Sequence, residues 1–245
     1  GIQLHGWLFD PDCAGAKPHL YAICCHGYSG QPQDMAKYAH RFARLGFTVL
    51  VPALRGHGLS EGRYAGMGWL DRRDLMRWIS LIIGSDADAR ILLQGKSMGA
   101  AAVMMTVGEP DLPRNVVAAV EDCGYASVGQ QFIDCARSMF HLPKFLAKPI
   151  VTTMGAIARR RAGYGFQEAS CVEQLKHATI PMLFIHGGAD DFVPSRALDE
   201  NFDACASIDR QKLLIPSAGH SMSASTAPVV YWKTVTNFVT RVFGL

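Results

Sequence analysis

The sequence predicts a mostly parallel α/β sheet with helices packed on both of its faces. Two observations carry this prediction. Short apolar runs recur along the 245 residues and alternate with longer amphipathic segments, a rhythm that builds a parallel sheet whose crossovers are helices. The second observation is Gly95-Lys96-Ser97-Met98-Gly99, which stands between the apolar run Arg90-Ile91-Leu92-Leu93-Gln94 and the helix formers Ala100-Ala101-Ala102-Val103-Met104-Met105. A G-x-S-x-G turn between strand and helix holds its serine in strained backbone, and its glycines sit where side chains would meet the neighbouring elements.

The elements follow in order. Residues 2–9 open the chain as an edge hairpin. Strands are expected at 21–25, 47–52, 90–94, 116–120, 181–185 and 211–216, with the runs at 90–94 and 181–185 apolar enough to be buried. Helices are expected at 33–45, 71–83, 98–107, 195–206 and 226–243. The last carries Val229, Trp232, Val235, Phe238, Val239 and Val242 at spacings of three and four, which gives it one apolar face for the sheet. Between Ser127 and Thr179 the rhythm breaks, because a parallel crossover needs only about a dozen residues. The segment is helical in pattern and rich in apolar residues such as Phe132, Met139, Phe140, Phe145, Met154 and Ile157. The expectation is one domain over 1–245, with a small helical cap-like insertion over 128–179 roofing an apolar pocket at the carboxyl ends of the strands; packing on the sheet's flank is the alternative.

A serine hydroxyl at such a turn needs a general base, and the base needs a carboxylate to hold its tautomer. Candidates occur in the order serine, acid, histidine. Asp190 follows the run Pro181-Met182-Leu183-Phe184-Ile185, and His220 follows Gln211-Lys212-Leu213-Leu214-Ile215-Pro216, so both fall at carboxyl ends of strands, where open α/β sheets bind ligands. Asp191 and Asp122 compete with Asp190 for the acid's role. The amides of Met98 and Tyr28 are the candidate oxyanion donors, the first following the serine and the second in the loop His26-Gly27-Tyr28-Ser29-Gly30. Gly30 is expected to keep that loop mobile, His26 to tie it down, and His186 to prop the acid loop.

With the further stretches Arg55-Gly56-His57-Gly58-Leu59-Ser60 and Gly219-His220-Ser221, these motifs resemble the α/β-hydrolases of the serine esterase/lipase type over nearly the whole chain. Glu121-Asp122-Cys123-Gly124-Tyr125-Ala126-Ser127 and Arg161-Ala162-Gly163-Tyr164 resemble, more narrowly, a bacterial subgroup of hydrolases related to bile-acid acyltransferase-like and acetyl-xylan-esterase-like proteins. Lys96 departs from that subgroup, which more often has a neutral residue there; a solvated lysine at the rim of the turn is expected. The resemblance implies a carboxylic-ester hydrolase working through an acyl-enzyme. Thioesterase, peptidase or acyltransferase chemistry on the same residues, and a non-catalytic ligand-binding module, stay open beside it.

Composition sets outer bounds. With 49% hydrophobic and 18% charged residues the chain is a folded globular protein, and a net charge of +3 is too small to point to nucleic acid. Arg72-Arg73 and Arg159-Arg160-Arg161 are expected on solvated helix faces. There is no C-x-x-C, H-E-x-x-H or phosphate-loop spacing, so no cofactor or metal is expected, only a small ester with an apolar acyl group. Seven cysteines without paired spacing suit reduced thiols and a cytoplasmic site. The chain starts at Gly1 rather than Met, and membrane attachment is expected only through a segment preceding it.

Overall fold

The computed structural model describes residues 1–13 and 17–245. Its centre is a seven-stranded sheet made of β1 (Gly6–Phe9), β2 (Leu20–Cys25), β3 (Thr48–Pro52), β4 (Arg90–Lys96), β5 (Val116–Asp122), β6 (Met182–Gly187) and β7 (Arg210–Ile215). The spatial order is β1-β3-β2-β4-β5-β6-β7. Every pair is parallel except β1 with β3, which runs antiparallel in the register Gly6↔Pro52. The expected hairpin therefore does not form. Both sides of β2 are taken by β3 and β4, and the connection after β1 passes α1, where the Asp12 amide donates to the Ala43 carbonyl. The first strand closes the sheet's edge instead.

Strands β2 to β6 read as apolar runs because both faces are covered. The edge strands β1 and β7 are largely exposed, so the run at 211–216 forms a strand without being buried. In β2, Ile23 and Cys25 enter one core and Ala22 and Cys24 the other, the alternation a strand imposes. The first core is built with α2 (Asp71–Ser85), α3 (Met98–Val107), α6 (Cys171–Leu175) and α7 (Arg196–Ala204). The second is built with α1 (Ala36–Arg44) and α9 (Pro228–Phe243), through Tyr38, Phe42, Tyr231 and Phe238. A short α8 (Ser223–Thr226) precedes α9, so the last long helix starts at Pro228, whose ring suits a first helical position. All of α3 is buried, which explains its alanines and its lack of a polar face.

Arg72 departs from expectation. It is 4% exposed, pairs with Glu109 at 2.5 Å, and stacks 3.4 Å over the Trp69 ring. A guanidinium can be buried where a carboxylate and an aromatic face replace its water. Arg159, Arg160 and Arg161 are exposed.

After β5 the chain forms α4 (Val128–Phe140) and α5 (Lys144–Ala162), which pack on each other before α6 returns it to the sheet. Ser127 and Ser170 caps start α4 and α6, and the two serines form an antiparallel bridge. Phe132 of α4 stacks on Phe166 at 4.8 Å. The Tyr164 hydroxyl donates to the Ala65 carbonyl at 3.1 Å, tying the end of α5 to the loop after β3.

Two fully buried carboxyls end β5. Asp122 Oδ2 accepts from Tyr231 at 2.9 Å and from Tyr38 at 3.4 Å. Glu121 Oε2 accepts from the Gly124 amide at 3.0 Å, while its Oε1 has no partner among the described residues. Burial pushes Glu121 up to about 8. A carboxyl held neutral in the fold but ionised when unfolded makes stability fall as pH rises from its ordinary range to the folded value. Glu121→Gln removes that dependence. The melting temperature of the variant relative to wild type is expected to rise between about pH 5 and pH 8 by more than about 3 °C, the effect of ~1 kcal/mol in a chain of this size. A constant difference measured by calorimetry across that range would show that Glu121 is ionised in the fold.

Candidate active site

Ser97 sits between β4 and α3 with φ +56° and ψ −120°, a conformation that L-residues rarely adopt. Its neighbours explain how it is kept there. A Cβ on Gly95 would strike the Gly99 carbonyl, and a Cβ on Gly99 would strike the carbonyl of Cys25 in β2. The Ser97 amide donates to the Asp122 carbonyl at 2.8 Å. The turn thus presents the hydroxyl at the sheet's carboxyl end beside the first amides of α3, whose partial charge favours an anion.

The Ser97 hydroxyl lies 2.8 Å from His220 Nε2, and His220 Nδ1 lies 2.7 Å from Asp190 Oδ2. With Nδ1–H donating to the carboxylate, Nε2 is left as an acceptor for the serine proton. Asp190 Oδ1 accepts from the amides of Phe192 at 3.0 Å and Val193 at 2.8 Å. Burial alone would raise the Asp190 carboxyl. Hydrogen bonds from His186 and His220, with the Val193 amide, outweigh it and hold the group well below the usual carboxylate range. The competing acids stand elsewhere, Asp122 against Tyr231 and Asp191 on the exposed side of the loop. His186 is buried behind the acid, 3.0 Å from the Val193 carbonyl and 3.4 Å from Asp190 Oδ2, where it props the loop.

The loop after β2 carries Tyr28, the residue expected to supply the second donor. Neither the Tyr28 nor the Met98 amide donates to another group among the described residues, so both stay available beside the serine. His26 ties the loop down through Nδ1 to the Gly27 carbonyl at 2.8 Å and through Nε2, which accepts from the Leu54 amide at 3.0 Å. Burial takes this imidazole down to about 4, so it is neutral near neutral pH. The Gly30 amide donates to the Gly27 carbonyl at 3.1 Å, and a Cβ there would fall 2.9 Å from Asp34 Oδ2 and 3.0 Å from the Gly27 carbonyl oxygen, so a side chain would crowd the turn.

Sequence reasoning passed over three residues that shape the site. His57 Nε2 accepts from the Ser29 amide at 3.2 Å, Nδ1 faces the Arg55 carbonyl at 2.9 Å, and its ring meets that of Tyr28 edge-on at 6.0 Å. Phe192 packs on the His220 ring at 5.0 Å. Cys123, at φ +54°, places its sulfur 3.4 Å from the Ser221 hydroxyl. The glycines on either side of His57 were the signal for the first; the other two depend on tertiary neighbours.

Beside Ser97 and His220 lies a cavity of about 320 Å³ reached by Tyr28, Lys96 and Phe192. Lys96 is half-buried rather than fully solvated. Tyr28 and Phe192 also line a second cavity of about 450 Å³, walled by Met67, Phe132, Met154 and Phe166. The Cys123, Asp190 and His220 donor atoms lie within 4.8 Å of one another. Burial raises the Cys123 thiol well above its usual value, which keeps it protonated and a poor metal ligand, and the imidazole and carboxylate already bond each other.

Residues 16–153, more than half of the chain, match the Hydrolase_4 family model, described as "Serine aminopeptidase, S33". The uncharacterized protein YqkD of Bacillus subtilis is 26% identical over 218 residues, 89% of this chain and 70% of YqkD. The esterase Pf2001 of Pyrococcus furiosus superposes with a TM-score of 0.76 at 21% identity, over 98% of this chain and 88% of its own. A monoacylglycerol lipase of Paleococcus ferrophilus superposes with a TM-score of 0.73 at 14% identity, over 98% and 99% of the two chains. The chain belongs to this S33 hydrolase family, within the α/β-hydrolases of the serine esterase and lipase type.

Proposed function

We propose that the protein is a serine carboxylic-ester hydrolase acting through an acyl-enzyme. The observation that carries the proposal is the continuous hydrogen-bonded line from Ser97 through His220 to Asp190, ending on a strained serine at a strand's carboxyl end. Ser97 Oγ attacks the ester carbonyl as His220 Nε2 takes its proton. Tyr28 and Met98 donate their amides to the oxyanion, and Asp190 stabilises the imidazolium. The ester C–O bond breaks as His220 returns the proton to the leaving alcohol. Water, deprotonated by the same imidazole, then releases the acid and regenerates Ser97.

The substrate is an ester with an apolar acyl group, held in the cavity of about 450 Å³ beyond Tyr28 and Phe192. The chain acts as one domain over 1–245 in which 128–179 is the cap, since α4 and α5 supply Phe132, Cys135, Met154 and Ile157 to that cavity. Ester cleavage is favoured over aminopeptidase chemistry because no lining side chain there is a carboxylate, and Arg161 is the charged one. A peptide's α-ammonium group would meet a cation where it needs an anion.

Wild-type protein exposed to a fluorophosphonate is expected to gain one adduct by intact mass, and Ser97→Ala none. Turnover of a soluble ester should fall by roughly 10³-fold or more in Ser97→Ala and in His220→Ala. An adduct that persists in Ser97→Ala, or no adduct in wild type, would overturn the assignment. Met154→Trp should fill the apolar cavity and lower the ratio of octanoyl to acetyl ester turnover by at least about tenfold; an unchanged ratio would place the acyl chain elsewhere.

A further inference from the structure

We infer that the tip of the α4–α5 hairpin is a docking surface for an anionic lipid bilayer. Seven of the large hydrophobic side chains left exposed among the described residues fall between Met139 and Ile157. They are densest around the turn His141-Leu142-Pro143, where Met139 is 61%, Phe140 68% and Phe145 75% exposed. Leu146 and Ile150 carry the apolar surface along α5 at helical spacing, and Met154 and Ile157 continue it into the apolar cavity. Isolated exposed apolar residues need no explanation, but a contiguous patch of this kind marks a contact surface.

Charge says what the contact is. Residues 135–167 hold six cations, Arg137, Lys144, Lys148, Arg159, Arg160 and Arg161, and no aspartate or glutamate. The remainder of the chain has eighteen basic against twenty-one acidic residues, so the hairpin is cationic while the rest of the molecule is acidic. Of these six cations only Arg159 has a carboxylate partner among the described residues, Glu168 at 3.2 Å. At the tip itself Arg137, Lys144 and Lys148 flank the exposed aromatic and aliphatic groups, while Arg159, Arg160 and Arg161 lie in the last turn of α5. The cations at the tip match a bilayer interface that offers acyl chains below negative headgroups. A second copy is disfavoured as the occupant, because bringing two such faces together opposes like charges. No helix among the described residues is long and apolar enough to cross a membrane, so α5 would lie on the surface. Met154 and Ile157 belong both to the exposed stripe and to the cavity wall, so docking along α5 would bring the cavity's rim to the lipid. This route to a membrane lies within the chain and is independent of any segment before Gly1 and of the chemistry proposed for Ser97.

The test is co-sedimentation of the 245-residue chain with vesicles of phosphatidylcholine alone or mixed equally with phosphatidylglycerol. Binding to the mixed vesicles is expected, with affinity at least about tenfold lower for phosphatidylcholine and a further loss at high salt. Phe140→Ser with Phe145→Ser, and separately Lys144→Glu with Lys148→Glu, should each weaken binding by about tenfold or more. All four side chains are exposed, and unchanged melting curves would show that the variants fold. Failure of wild type to bind mixed vesicles, or equal binding by the variants, would overturn the inference. A concentration-dependent dimer in light scattering that the phenylalanine variant abolishes would also overturn it, and assign the face to self-association.

Discussion

Ser97 occupies a backbone conformation that would be abandoned in a free peptide, and the centre of the molecule is arranged so that it cannot relax. Positive φ at a non-glycine residue costs on the order of 1–3 kcal/mol. The opposing force comes from crowding on every side. Gly95 lies against the Gly99 backbone, Gly99 against the β2 backbone at Cys25, and the Ser97 amide is held by the Asp122 carbonyl of β5. The buried helix α3 then fixes the exit direction. The loop bearing Tyr28 follows β2 and the loop that begins at Cys123 follows β5, so the strands that trap Ser97 also aim its neighbours.

The carboxyls at this end of the sheet show how environment divides labour among similar groups. Asp190 is buried yet anionic, because two amides and two imidazoles replace its water. Glu121, more deeply buried, has one amide for its Oε2 and is pushed toward neutrality. Asp122 is raised by burial although Tyr231 opposes it with a hydrogen bond. Donor count and depth together separate the carboxyl that can orient an imidazole from those that brace the scaffold. The histidines divide similarly. His26 is spent on backbone atoms on both ring nitrogens, whereas His220 spends one nitrogen on Asp190 and turns the other to Ser97.

Much of this was legible in the sequence because it rests on local rules. Strands covered on both faces must be apolar throughout, which marked β2 through β6. A turn that cannot carry side chains must use glycine, which marked Gly95 and Gly99, and the order of Ser97, Asp190 and His220 along the chain gave their grouping. What escaped depends on partners distant in sequence. Whether β1 pairs with β2 or β3 is decided by which edges are free. Arg72 looks like any solvated arginine until Glu109 and Trp69 meet it. Gly30 resembles a loosening residue, yet Asp34 and the Gly27 carbonyl crowd the place a side chain would take. His57 matters through Ser29, twenty-eight residues away.

The bridge between Ser127 and Ser170 closes the α4–α5 excursion at its base. Val128 donates to the Ala169 carbonyl at 2.9 Å, and Cys171 to that of Ala126 at 2.9 Å. Departure and return therefore meet at one stitched point. Because the two ends are already pinned together, segments of quite different length can span the gap with little added closure entropy. Such a socket allows the walls of the cavity to change while Ser97, His220 and Asp190 stay where they are.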